Sequence, residues 1–126
     1  MTQEEYKAFE GKLKERGYRR YTSSMMNADF AYYKSFHKDD NPYEEDRSMY
    51  QIAFHVYDFS PFANRDAHLA KNPWSVSAEI QISRTIDESI DLCLHHSSFF
   101  LDVERIEAFA EELMQFVEPR IKPNRI

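Results

Sequence analysis

The chain contains one candidate cluster for nucleophilic chemistry, made of Glu79, Cys93 and His95. Residues 75–84 and 89–97 alternate apolar and polar side chains, and a hairpin that turns at Ile86 places Glu79 opposite Cys93 on the polar face. His95 then lies diagonally across from Glu79. A histidine can activate a thiol and a carboxylate can orient the imidazole, so this cluster could serve a hydrolase or a transferase.

The same three residues are also typical of an ordinary polar strand surface. Catalytic thiols usually lie in electropositive clefts at helix starts or loop ends, and a flat sheet face offers no donors for an oxyanion. Both of the 2 glycines lie within the first 17 residues, which excludes glycine-rich phosphate-binding loops. We therefore favour a non-enzymatic protein over an enzyme, and we expect no cofactor.

No metal site is predicted either. His37 and His55 share a predicted strand face but are separated along it by roughly 20 Å. His95 and His96 are neighbours in a strand and therefore point to opposite faces. The single Cys excludes an internal disulfide and a cysteine zinc cluster, and it favours a reducing compartment.

Basic and aromatic residues alternate near the start of the chain. Residues 7–20 contain six basic and two acidic side chains, although the whole chain has a net charge of -6. Such a segment can bind phosphates and stack bases, so we consider Lys12, Arg16, Arg19 and Arg20 as candidates for anion binding. Charged helix faces are common in ordinary domains, and nucleic acid is the less favoured partner.

A second candidate surface comes from the hairpin predicted around Tyr43. Pairing Phe36 with Tyr50 and Tyr32 with Phe54 brings the apolar faces of both strands together. The opposite face then presents aromatic and soft side chains of the kind that is enriched in protein interfaces. The candidate partner-binding residues on it are Tyr33, His37, Met49, His55 and Tyr57.

The spacing of apolar residues predicts the helices and strands that position these side chains. A capping box of Thr2 and Glu5 opens a helix that ends at Gly17. Five alternating segments predict strands over 18–23, 30–38, 48–59, 75–84 and 89–97. A short helix is predicted over 60–71, and Asp102 caps a final helix whose apolar stripe is Val103, Ile106, Phe109, Ala110, Leu113 and Val117, with its end at Pro119.

These elements predict one α+β domain over residues 1–118, followed by an extended basic tail over 119–126. Strands joined by short loops favour an antiparallel sheet of about five strands. The N- and C-terminal helices cover one face of that sheet, and the other face stays open. The N-terminus has no continuous hydrophobic run, so we expect a cytoplasmic protein without membrane association.

The order of elements between Thr2 and Val117, together with the acidic charge, is similar to that of bacterial secretion chaperones. These are small dimeric proteins that hold extended segments of client proteins. The resemblance is one of topology without a residue motif, so it assigns no client-binding position. Our leading hypothesis is a chaperone-like or adaptor-like protein-binding module that acts through the open sheet face as a homodimer. The alternatives are a nucleic-acid accessory protein that uses the basic first helix and, less favoured, the enzyme described above.

Overall fold

A computed structural model describes residues 1–22, 27–37, 49–85, 88–94 and 102–121. The chain forms an antiparallel sheet of five strands with helices on one side, which confirms the predicted α+β class. The elements in chain order are α1 (Gln3–Glu15), β1 (Arg19–Tyr21), β2 (Phe30–His37), β3 (Met49–Asp58), a 3-10 helix (Ser60–Arg65), α2 (Ala67–Lys71), β4 (Trp74–Thr85), β5 (Glu88–Leu94) and α3 (Val103–Ile121).

The sheet is a meander with the spatial order β1-β2-β3-β4-β5. Phe36 lies opposite Tyr50 and Tyr32 lies opposite Phe54, so the predicted register of the β2–β3 hairpin is confirmed. The β4–β5 pairing places Glu79 opposite Cys93, again as predicted. A one-residue slip would turn every apolar side chain away from the core, which is why the alternation specifies the register so well.

Helix α1 begins and ends at the predicted residues. The hydroxyl of Thr2 accepts a hydrogen bond from the Glu5 amide, and the Glu5 carboxylate accepts one from the Thr2 amide. At the other end Gly17 takes a positive φ of 87°, which glycine adopts without the strain that a β-carbon would add. The amide of Tyr18 donates to the Leu13 carbonyl across this turn, and both side chains are buried.

Two helix predictions need correction. The segment between β3 and β4 is a 3-10 helix followed by α2, because Asp66 is extended between them and caps α2 through the His68 amide. Asp102 caps α3 as expected, but that helix continues past Pro119 to Ile121. Proline removes one backbone donor without necessarily ending a last turn. The part of the predicted tail beyond Ile121 lies outside the described residues.

The core lies between the sheet and the two long helices. From α3 it receives Val103, Ile106, Ala110 and Met114, with Leu113 partly buried beside them. Phe109, which we expected in the apolar stripe, is 42 % exposed instead. The buried arc of α3 is therefore rotated toward Met114. None of the helices in the described ranges is long and apolar enough to cross a lipid bilayer.

Candidate functional site

The sheet side opposite the helices, here called the outer face, carries the predicted partner-binding residues. Two rows of residues cross it from β1 to β4, each row set by directly opposed strand positions. One row consists of Arg19, Tyr33, Ala53 and Glu79, and the next consists of Tyr21, Ala31, His55 and Ser77. The pairing of β1 with β2 thus adds Arg19 and Tyr21 to the surface.

Aromatic side chains form a continuous patch on this face. The ring of Tyr33 contacts Tyr21 edge-on with centroids 5.1 Å apart, and on its other side it meets the ring of His55 at 6.0 Å. Tyr21 is 47 % exposed and Tyr33 is half-buried. Burial raises the pKa of the Tyr33 hydroxyl, and the nearby Glu79 carboxylate and Tyr21 add to that rise. Tyr33 therefore stays neutral at physiological pH.

The centre of the outer face is closed, contrary to our expectation of an open surface. His55 is 0 % exposed, and Ala31 and Ala53 beside it are almost as inaccessible. The imidazole Nε2 of His55 lies 3.6 Å from a carboxylate oxygen of Glu79. A side chain with no accessible area cannot contact a partner, so His55 is part of the support of this surface and the accessible aromatic groups lie around it.

The structure describes the remaining predicted partner-binding residues to different extents. Tyr57 is half-buried on the outer face and stacks on Phe59, with centroids 6.2 Å apart. The backbone of His37 lies opposite Met49 at the far end of the hairpin, as predicted. The side chains of these last two residues lie outside the described part of the structure.

The candidate nucleophilic cluster is brought together only in part. Glu79 and Cys93 are opposed in the β4–β5 ladder, but His95 lies outside the described residues. The imidazole placed next to Glu79 is that of buried His55, a residue that the cluster did not include. Within the described ranges, no three His, Cys, Asp or Glu side chains come together as a metal site.

The four anion-binding candidates point in different directions. Lys12 pairs with Glu104 at 3.2 Å, and the guanidinium of Arg16 forms a two-pronged ion pair with Glu107, so both bind α3. The Arg20 guanidinium lies 3.9 Å from the ring centroid of Phe30, on the helix side of the sheet. Arg19 belongs to the outer face. This dispersal disfavours a single phosphate-binding surface.

A hydrogen-bonded carboxylate joins α1 to β2 beneath the helices. One oxygen of Glu10 accepts hydrogen bonds from the hydroxyls of Tyr32 at 2.6 Å and Tyr6 at 2.9 Å. Burial alone would raise the pKa of Glu10, but these two bonds and the Lys14 ammonium together lower it. Burial, followed by the hydrogen bond and the charge of Glu10, raises the pKa of Tyr32 to about 12. Glu10 thus stays ionised and holds both tyrosines in place.

No protein-family model matches the chain, no curated protein matches it, and no solved structure matches it.

One feature of the helix side was not predicted from the sequence. A groove of about 610 Å³ opens where α1, the start of β4 and the start of α3 meet, and it is lined by Ala8, Phe9, Trp74 and Val76 among others. In the sequence, the small side chain of Ala8 among the charged residues of α1 is the one local feature that could have indicated this groove. A groove between three elements depends on their packing, which periodicity does not specify.

Proposed function

We propose that this protein is a non-enzymatic protein-binding module that acts through its outer sheet face, and that it pairs there with a second copy of itself. The supporting observation is the patch formed by Tyr21, Tyr33 and Tyr57 around the closed centre. Tyrosine supplies large contact area at a small cost in conformational entropy and is enriched where proteins meet.

The order of charges across the face supports self-association. Arg19 on β1 and Glu79 on β4 lie at opposite ends of one row. A twofold axis that runs parallel to the strands, between β2 and β3, superimposes β1 of one copy on β4 of the other. Arg19 of each copy then faces Glu79 of its partner, so both ends of the row meet an opposite charge.

The second row is complementary in size under the same operation. Tyr21 on β1 of one copy faces Ser77 on β4 of the other, which places an exposed ring over a small side chain. Two sheets packed face to face are separated by about 10 Å, a gap that one layer of large side chains fills. The face is therefore suited to an interface with a twofold axis.

Sedimentation velocity over a range of micromolar concentrations tests the proposal. We expect the wild-type protein to sediment as a dimer, and we expect Tyr21→Asp to raise the dissociation constant by at least about tenfold because it buries a carboxylate in the interface. Phe62→Asp is the matched control, since Phe62 is also 47 % exposed but lies in the 3-10 helix. A wild-type monomer at every concentration, or equal effects of the two variants, would overturn the proposal.

A further inference from the structure

A titratable side chain, His55, is buried at the centre of the outer face. It has 0 % exposure, and its imidazole Nε2 lies 3.6 Å from a carboxylate oxygen of Glu79. Histidine is the side chain whose charge most readily changes between about pH 5 and pH 8. A charge that appears where solvent has no access must be balanced by the groups around it. The neighbours of His55 therefore decide what its protonation does to this surface.

The strands beside β3 bring few charged groups to the same side of the sheet. The residues directly opposite His55 are Ala31 on β2 and Ser77 on β4, and neither carries a charge. Over the described residues of all five strands, the titratable and charged groups around this position are Arg19, Tyr21, Tyr33, Tyr57, Glu79 and Cys93. Glu79 is the one carboxylate in this set, so it is the group that can balance a protonated His55.

The proposed dimer uses the same carboxylate. Under the twofold operation, Glu79 faces Arg19 of the partner subunit, and His55 faces Ala31 of the partner subunit. Packed sheets are about 10 Å apart and neighbouring strands about 4.8 Å apart, so the two His55 backbones of a dimer lie within roughly 11 Å of each other. Both imidazoles belong to the interface, close to its twofold axis.

Protonation of His55 opposes association in two ways. An imidazolium 3.6 Å from Glu79 competes with Arg19 of the partner subunit, so that one carboxylate is shared by two cations. The two imidazolium groups of the dimer also repel each other across an interface from which water is excluded. By linkage, a proton that weakens the dimer shifts the equilibrium toward the monomer as the pH falls.

From the burial of His55, its contact with Glu79 and its place near the twofold axis, we infer that His55 is a pH-sensitive switch that dissociates the dimer in mild acid. This inference rests on the proposed function, because it concerns the regulation of the same interface.

Sedimentation velocity of the full chain at about pH 7.5 and about pH 5.5 tests the switch. We expect the dissociation constant of the wild-type dimer to be at least about tenfold higher at the lower pH. His55→Gln keeps a polar side chain but does not titrate, and its dissociation constant should change by less than about threefold. His68→Gln, in exposed α2, is the matched control and should respond to pH as the wild type does.

Two further measurements guard against a variant that does not fold. Circular dichroism at both pH values checks the fold, and His55→Asn replaces His55→Gln if that variant is unfolded. In the wild type, the Hε1 NMR resonance of His55 should shift over the same pH interval in which the dimer weakens. A resonance that stays constant over that interval would overturn the inference without the use of any variant.

The failure of the switch can be distinguished from the failure of the dimer. A wild-type dimer that is equally tight or tighter at the lower pH contradicts the switch and leaves the proposed interface intact. Retention of the full pH dependence in His55→Gln does the same, since it locates the titrating group elsewhere. A wild-type monomer at about pH 7.5 contradicts the proposed function, and the switch fails with it.

Discussion

At the scale of single residues, the polar side chains beneath the helices stabilise the folded protein. Glu10 has a pKa below its ordinary value of 4.5, because the hydrogen bonds and the Lys14 charge outweigh its burial. A carboxylate whose pKa is lowered by folding contributes stability that is fully present above its unfolded pKa and is lost as the pH falls through the folded pKa. The hydroxyls of Tyr6 and Tyr32 are the groups that depend on it.

We therefore expect Glu10→Gln to lower the free energy of unfolding by about 1 to 2 kcal/mol at pH 7. The difference from the wild type should shrink as the pH falls below about 4.5, because the wild-type carboxylate also becomes neutral. Urea unfolding of both proteins at pH 7 and at a pH below about 4.5 measures the two differences in unfolding free energy. Glu15→Gln, at an exposed position of the same helix, is the control and should show little difference at either pH. A gap for Glu10→Gln that widens in acid would contradict the assignment.

His55 gives a second prediction at this scale. Because its side chain is fully buried beside Glu79, His55→Ala should leave a cavity and lower the free energy of unfolding by about 2 to 4 kcal/mol. His68→Ala, in exposed α2, should change it by no more than about 0.5 kcal/mol. Equal effects of the two substitutions in urea unfolding would show that His55 is accessible, as the sequence analysis expected.

At the scale of elements, the orientation of α3 decides which of its apolar residues stabilise the protein. Ile106 is buried at 2 % exposure, whereas Phe109 is 42 % exposed. We expect Ile106→Ala to cost about 2 to 5 kcal/mol of unfolding free energy and Phe109→Ala less than about 1 kcal/mol. Thermal or urea unfolding of the two variants compares them directly. A larger loss for Phe109→Ala would mean that the helix presents the predicted stripe to the core.

The sequence predicts the register of the strands better than the orientation of α3. Strand alternation has a period of two, so a shift of one residue reverses the faces, and the pairings of Tyr32 with Phe54 and of Glu79 with Cys93 were predictable. On α3 the apolar residues span a broad arc, and a modest rotation exchanges Phe109 for Met114 without leaving that arc. The ion pair between Arg16 and Glu107 joins the two long helices. The two residues are 91 positions apart in the sequence, so no local pattern predicts their contact.

The candidate surface was predictable only in outline. The period of two placed Tyr33, His55 and Tyr57 on one face, but it could not show that the centre of that face closes over His55. Burial of a strand residue depends on the side chains of neighbouring strands, here Tyr33 and Glu79, and on how their rings and chains lie. Arg19 and Tyr21 belong to the surface because β1 pairs with β2, and the alternation of residues within each strand does not specify that pairing.

At the scale of the whole molecule, we propose that the two sides of the sheet have different roles. The helix side encloses the core and carries the groove, whereas the outer side carries the tyrosine patch with Arg19 and Glu79 at its ends. Opposite charges that face each other across an interface add mainly to specificity and to the rate of association. The dimer should therefore weaken as the salt concentration rises.

The most direct test of self-association through the outer face is a charge exchange followed by sedimentation velocity. Arg19→Glu should dissociate the dimer, because it places two carboxylates opposite each other at both ends of the row. The double variant Arg19→Glu with Glu79→Arg exchanges the charges and should recover the dimer at least in part. A single variant that dimerises as tightly as the wild type, or a double variant that dissociates as fully as the single one, would contradict the proposed twofold interface.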